Sequence, residues 1–203
     1  MFMVPETAEI QRVARSLGFE VAGHEVATYQ RFLADWLKGV DEFMNARLQD
    51  PPPPVAAVRR DVPYKPSAAG EPLNAWLRKC SFGGGGDGGG RLGGRTVSVK
   101  DTIAVAGIAS TLGSFGGDRL MPDFDSTVAR RALEAGATLI GTNAVVGGFG
   151  EVGDDRRPKN PHDPSRLAGG TSSGGAVAVA AGEVDIAYGG DQGGSVRIPA
   201  AWS

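Results

Sequence analysis

Apolar residues recur at helical spacing through the first fifty positions of the chain. Ile10, Val13, Ala14 and Leu17 lie three and four apart over Thr7 to Leu17, and Gly18 supplies a stop. Thr28 to Leu48 repeats the pattern more strongly. Tyr29, Phe32, Leu33, Trp36, Leu37, Val40, Phe43, Met44 and Leu48 make one broad apolar face, with Arg31, Asp35, Lys38, Asp41 and Glu42 outside it. Gly39 weakens that helix locally. A face so rich in aromatics packs against a core or against a second copy. Pro51 to Pro54 ends the helix and opens an extended, polyproline-like connector.

The pattern then lapses. Asp61 to Ala75 reads as loop, broken by Pro63, Pro66, Gly70 and Pro72, with Trp76 and Leu77 anchoring it to the core. Ser81 to Gly94 is nearly all glycine. It lacks the Gly-Lys-Ser/Thr ending that holds phosphate and magnesium, so it reads as a surface loop rather than a phosphate loop.

From Arg95 the period changes to two. Val97 and Val99 alternate with Thr96, Ser98 and Lys100, a short strand that delivers a lysine at its end. Asp125-Ser126-Thr127 caps a helix that Gly136 stops, and Ala137 to Ile140 reads as the next strand. Gly175 to Gly182 predicts a buried helix and Val184 to Tyr188 a further strand. Strand, helix and strand in alternation predict an α/β layered core. Three segments result: an N-terminal helical segment over 1–50, a Pro/Gly-rich linker and loop over 51–94, and a core over 95–203.

Composition narrows the function classes. A formal net charge of −2 gives no electrostatic footprint for nucleic acid or an anionic membrane. No stretch approaches the roughly 20 apolar residues of a membrane span, and the start lacks the features of a signal peptide. The lone Cys80 fits a reducing compartment, so a cytoplasmic protein is expected. Two histidines, His24 and His162, leave no plausible metal cluster, and no cofactor is expected.

The densest chemistry lies at the end. Gly169-Gly170-Thr171-Ser172-Ser173-Gly174-Gly175 and Gly189-Gly190-Asp191-Gln192-Gly193-Gly194-Ser195-Val196-Arg197-Ile198-Pro199 flank one small-residue segment. Glycine-rich loops can aim several N–H groups at one point, as an oxyanion requires, and a serine among them can be a nucleophile. Gly170-Thr171-Ser172-Ser173-Gly174 also fits the nucleophile elbow Gly-x-Ser-x-Gly. That reading makes Ser172 the nucleophile but needs a downstream histidine, and both histidines lie upstream.

Gly169 through Ala200 resembles the signature of the amidase signature family, serine hydrolases of carboxylic amides with a Ser-Ser-Lys triad. Asn160-Pro161-His162-Asp163-Pro164 resembles the family's lead into the serine loop. The resemblance implies a mixed sheet covered by helices, preceded by the N-terminal helical segment. Family members run a few hundred residues further, so the chain looks like the N-terminal part of a longer fold.

The resemblance implies that Ser195 is the nucleophile and Lys100 the base. The family's first serine, which follows a cis peptide bond, aligns with Thr171 when the spacing to Ser195 is kept without a gap. Thr171 is therefore the favoured relay and Ser172 the reserve, with Ser173 a loop-stabilising hydroxyl. The oxyanion donors would be the N–H groups of Gln192, Gly193, Gly194 and Ser195. Gly148 would lie near the acyl pocket, and Asp191 with Arg197 would fix the serine loops. A lysine can act as a base only when burial and nearby positive partial charges make it neutral.

The implied activity is hydrolysis of small carboxylic amides to carboxylate and ammonia. In the resembling enzymes an N-terminal helical segment often helps dimerisation, so a homodimer through these helices is one expected assembly. Two alternatives stand beside it. One is an inactive or truncated family member acting as an interaction module. The other is the amidotransferase subunit for glutaminyl-tRNA formation, which more often shows Asp-Thr-Gly-Gly-Ser and Arg-Gln-Pro; Gln192 and Ile198 stand here instead.

Overall fold

A computed structural model describes residues 2–47, 53–55, 58–83, 89–112, 120–146 and 157–203. It divides into two units, Met1–Asp50 and Pro51–Ser203. The first is a helical pair, α1 (Thr7–Ser16) and α2 (Gly23–Asn45). Its small core is Ile10, Ala14, Val21 and Val26, with Leu33 packed beside it. α2 begins five residues before the sequence pattern predicts. The Glu25 carboxylate accepts the Ala22 N–H at 2.9 Å, which satisfies a helix-start donor without a Ser or Asp at the cap. The broad apolar face does not enter this core as one surface: Phe32, Trp36 and Phe43 are about two-thirds exposed.

The second unit is built on a mixed four-stranded sheet of order β1-β3-β2-β4. Its strands are β1 (Trp76–Phe82), β2 (Thr96–Lys100), β3 (Thr138–Asn143) and β4 (Ile186–Tyr188). β1 runs antiparallel to β3, while β2 is parallel to both β3 and β4. β1 corrects the reading of 51–94 as linker and loop. Phe82 and Cys80 are core residues, and Tyr64 and Arg60 form isolated bridges to the strand. Residues 84–88 of the glycine tract lie outside the described residues.

Among the described residues this unit also holds three α-helices, α3 (Thr127–Glu134), α4 (Ser173–Ala180) and α5 (Arg197–Trp202). Ser126 caps α3 by accepting the Ala129 N–H at 3.3 Å. Side chains alternate across β2, and this decides where its lysine points. Val97 and Val99 join Phe82, Leu133, Leu139 and Ile108 in one core cluster. Ser98 and Lys100 therefore face the other side of the sheet, the side of α4, where Trp76, Val177, Ala178 and Val184 form a second cluster.

Close approach brings α4 to the sheet. A Cβ at Gly174 would stand 2.5 Å from Ala75 O and 2.6 Å from Ala144 N, so only glycine lets the helix start there. The sequence predicts a buried helix over Gly175 to Gly182, and α4 is largely that. Ser173, Gly174, Gly175, Val177 and Ala178 are buried, Ala176 is half-buried, Val179 is 41% exposed and Ala180 is open to solvent. Among the described residues no helix is long and apolar enough to cross a membrane.

Candidate active site

Three elements converge on the α4 side of the sheet: the end of β2, the loop entering α4, and the loop leaving β4. Lys100 is buried at the end of β2, and its Nζ lies 2.5 Å from Thr171 Oγ1. Burial pushes the Lys100 amine below the ordinary lysine value, and the field of Asp191 pulls it part of the way back. Thr171 is half-buried, and its carbonyl accepts the Val146 N–H at 3.2 Å.

The two serine loops are tied to each other through their backbones. The Ser172 N–H donates to the Ser195 carbonyl at 3.0 Å. Ser172 is buried, and its hydroxyl donates to Gly190 O at 3.3 Å. A Cβ at Gly189 would come within 2.7 Å of that hydroxyl, so the loops touch at a glycine. Ser195 is half-buried beside this junction. Ser173 is buried in the first turn of α4, and its Oγ has no partner.

Asp191 fixes the shape of the second loop. Its carboxylate accepts the N–H groups of Gly194 at 2.7 Å, Val196 at 3.3 Å and Arg197 at 3.0 Å. Arg197 adds a bidentate contact, Nε at 2.9 Å and Nη2 at 3.0 Å. The guanidinium first, and then these N–H groups, hold the Asp191 carboxyl far below the usual carboxylate range.

This geometry corrects two expectations. The Gly194 N–H cannot be an oxyanion donor as it stands, because the carboxylate three residues upstream has taken it. Among the described residues, the N–H groups of Gln192, Gly193 and Ser195 have no acceptor, and the first two residues are exposed. No cis peptide bond occurs among the described residues, so the one implied before Thr171 is not found. Gly169 and Gly170, at φ of +79° and +60°, turn the chain there instead. Gly148 lies outside the described residues.

The nucleophile-elbow reading of Ser172 gains nothing from the structure. His162 Nε2 lies 2.9 Å from Ser203 O, and the Ser172 hydroxyl is held by a backbone carbonyl rather than an imidazole. A cleft of about 220 Å³ opens beside Lys100, lined by Lys100, Asn143, Ser172, Tyr188 and Val196 among others. Thr171 and Ser195 are not among its lining residues. Asn143 is the residue that sequence reasoning passed over. The available signal was a polar side chain at the end of the strand following α3.

Comparison with known proteins matches this arrangement to a family. The family model described as Amidase matches residues 74–203. An enantioselective amidase of Rhodococcus rhodochrous is 43% identical over 142 residues, covering 67% of this chain and 27% of that protein. A glutamyl-tRNA(Gln) amidotransferase subunit from Halobacterium salinarum is 42% identical over 134 residues, covering 64% of this chain and 31% of that protein. The peptide amidase of Stenotrophomonas maltophilia, a solved structure, is 32% identical with a TM-score of 0.47, over 55% of this chain and 25% of that one. The chain thus spans between a quarter and a third of the length of these relatives. With the family model covering more than half of its residues, the chain belongs to the amidase signature family.

Proposed function

We propose that the chain carries the catalytic core of a serine hydrolase of small carboxylic amides, giving carboxylate and ammonia. The observation that carries this reading is the buried Lys100 amine in contact with the Thr171 hydroxyl, at the junction with the Ser195 loop. A lysine whose pKa is lowered by burial is neutral more of the time and can accept a proton. Ser195 Oγ attacks the amide carbonyl and loses its proton to the Thr171 oxygen, while the Thr171 proton passes to the Lys100 lone pair. The N–H groups of Gln192, Gly193 and Ser195 receive the oxyanion, each donor typically contributing about 3 kcal/mol. Ammonia leaves after protonation along the same relay, and water then hydrolyses the acyl ester on Ser195.

Ammonia release from benzamide or propionamide by the purified chain, without ATP or tRNA, tests this reading. Release that disappears in Lys100→Met supports it. No release from a folded chain favours the inactive-module alternative. The relatives named as amidotransferase subunits favour a second reading, in which release requires a tRNA-linked system. Gln192 and Ile198 weigh against it.

The reading includes a homodimer through α2. The exposed Phe32, Trp36 and Phe43 support it, as does the alternating charge row Arg31, Asp35, Lys38 and Glu42. Two antiparallel copies would set Arg31 against Glu42 of the second copy, and Asp35 against its Lys38. Light scattering on wild type and Trp36→Glu decides: a dimer lost in the variant supports it, and a monomeric wild type overturns it.

A further inference from the structure

We propose that the side-chain oxygen of Asn143 is the acceptor for the Lys100 ammonium formed when the relay protonates it, which makes Asn143 a positioning residue for the base. The proposal rests on the reading of Lys100 as that base. β2 and β3 run parallel with Lys100 and Asn143 as register partners, and the Asp101 N–H donates to Asn143 O at 3.1 Å. The backbone ladder therefore fixes both residues side by side, and both line the same cleft.

Their hydrogen-bonding deficits are complementary. Asn143 is 1% exposed, and its Nδ2 donates to Ala75 O at 3.4 Å. Its Oδ1 is buried and has no partner. More than nine in ten buried polar atoms are paired, so a lone one calls for a physical account. Lys100 presents the opposite problem. A neutral amine uses its lone pair to hold the Thr171 hydrogen; after transfer it is an ammonium with three N–H donors. Thr171 can accept one, and a buried ammonium is costly unless the others are also met.

Other buried oxygens lack partners too: Ser98 Oγ, Thr142 Oγ1, Ser173 Oγ and Ser203 Oγ. Of these four, Ser203 alone lines the cleft that Lys100 and Asn143 share, and it is a hydroxyl. A hydroxyl can also turn to donate, whereas a carboxamide oxygen can only accept. Gly175 adds a reason of its own. A Cβ there would lie 3.5 Å from Asn143 Oδ1 and 3.1 Å from Ala187 Cβ, so glycine leaves the oxygen uncovered by α4.

The step balances without a further reactant. The proton leaving Ser195 enters the Thr171 hydroxyl, the Thr171 proton binds the Lys100 lone pair, and one new N–H turns to Asn143 Oδ1. The other titratable groups around Lys100 are Asp191 from the loop after β4, Tyr188 on β4 across the cleft, and Asp101 next in sequence. The Asp101 carboxylate accepts from Thr111 N and Oγ1.

The test is the titration of Lys100, followed by the ¹⁵Nζ and ¹³Cε resonances of the lysine-labelled full chain and assigned with Lys100→Met. Asn143→Asp is isosteric and puts a carboxylate where the oxygen stands. It should raise the Lys100 pKa by about one unit or more. Asn143→Leu removes the acceptor and should lower it. Opposite shifts in two folded variants are not the signature of a merely structural residue. If the Leu variant fails to fold, the Asp variant decides alone: a Lys100 that titrates as in wild type overturns the proposal. The titration needs no substrate. A shifted pKa in a chain that hydrolyses no amide therefore sinks the amidase reading and leaves the Asn143 contact standing.

Discussion

Two charged side chains meet the serine loops, and the fold treats them in opposite ways. Asp191 is given three backbone N–H groups and a bidentate arginine, and its carboxyl is held ionised far below its usual range. Lys100 is given burial and one hydroxyl contact, and its charged form is disfavoured. A group that never changes its charge can hold a loop in shape. A group whose charge is poorly supported can exchange a proton. The contrast separates scaffold from chemistry without reference to any relative.

The largest effect expected from breaking this contrast is on the lysine side. Lys100→Met should lower amide hydrolysis about 10³-fold, the range for loss of a general base, while the chain stays folded by circular dichroism. Removing the Thr171 hydroxyl in the isosteric Thr171→Val should cost about 10²-fold, whereas Thr171→Ser should stay within a few-fold. If Ser172→Ala matches the Val variant instead, the relay sits at Ser172. On the scaffold side, Asp191→Ala frees the Gly194 N–H and loosens the loop. A fall of about 10² in kcat, with little change in the unfolding midpoint, is expected from a misplaced nucleophile.

A smaller effect separates the two groups by pH. Because the Lys100 pKa is lower in the folded chain than in the unfolded one, the unfolded state binds more protons between those two values. Stability should therefore rise with pH from the folded Lys100 pKa up to about 10.4. Urea midpoints across that window should show a rise in wild type that is missing in Lys100→Met. The smallest effect concerns Cys80, whose thiol burial pushes up to about 12. A thiol reagent at pH 8 should leave it unmodified until the chain is unfolded.

Much of the second unit could be read from its residues because local and tertiary demands agree there. β2 alternates Val97 and Val99 against Ser98 and Lys100, and Ser126 caps α3 with its own side chain. β1 could not be read so. Its Lys79 looks like a solvent residue, yet it pairs with Glu183, distant in sequence, at 3.0 Å and with Glu71 at 3.5 Å. α5 was missed because Pro199 reads as a helix breaker. At the third helical position its absent N–H costs no hydrogen bond.

In the candidate site, the lysine and the hydroxyl at 171 were named from the motif, and the structure places them in contact. What the motif could not show was how the loop spends its N–H groups. Asp191 stands three residues before Gly194, and only the folded turn reveals that the carboxylate has claimed that donor.

The central claim is that Lys100, Thr171 and Ser195 act as one unit. Mass spectrometry after incubation with a fluorophosphonate probe, on wild type and Ser195→Ala, tests it most directly. The account predicts a single adduct on Ser195 that is lost in the variant and greatly slowed in Lys100→Met. An adduct on Ser172, or none on a folded chain, would contradict it.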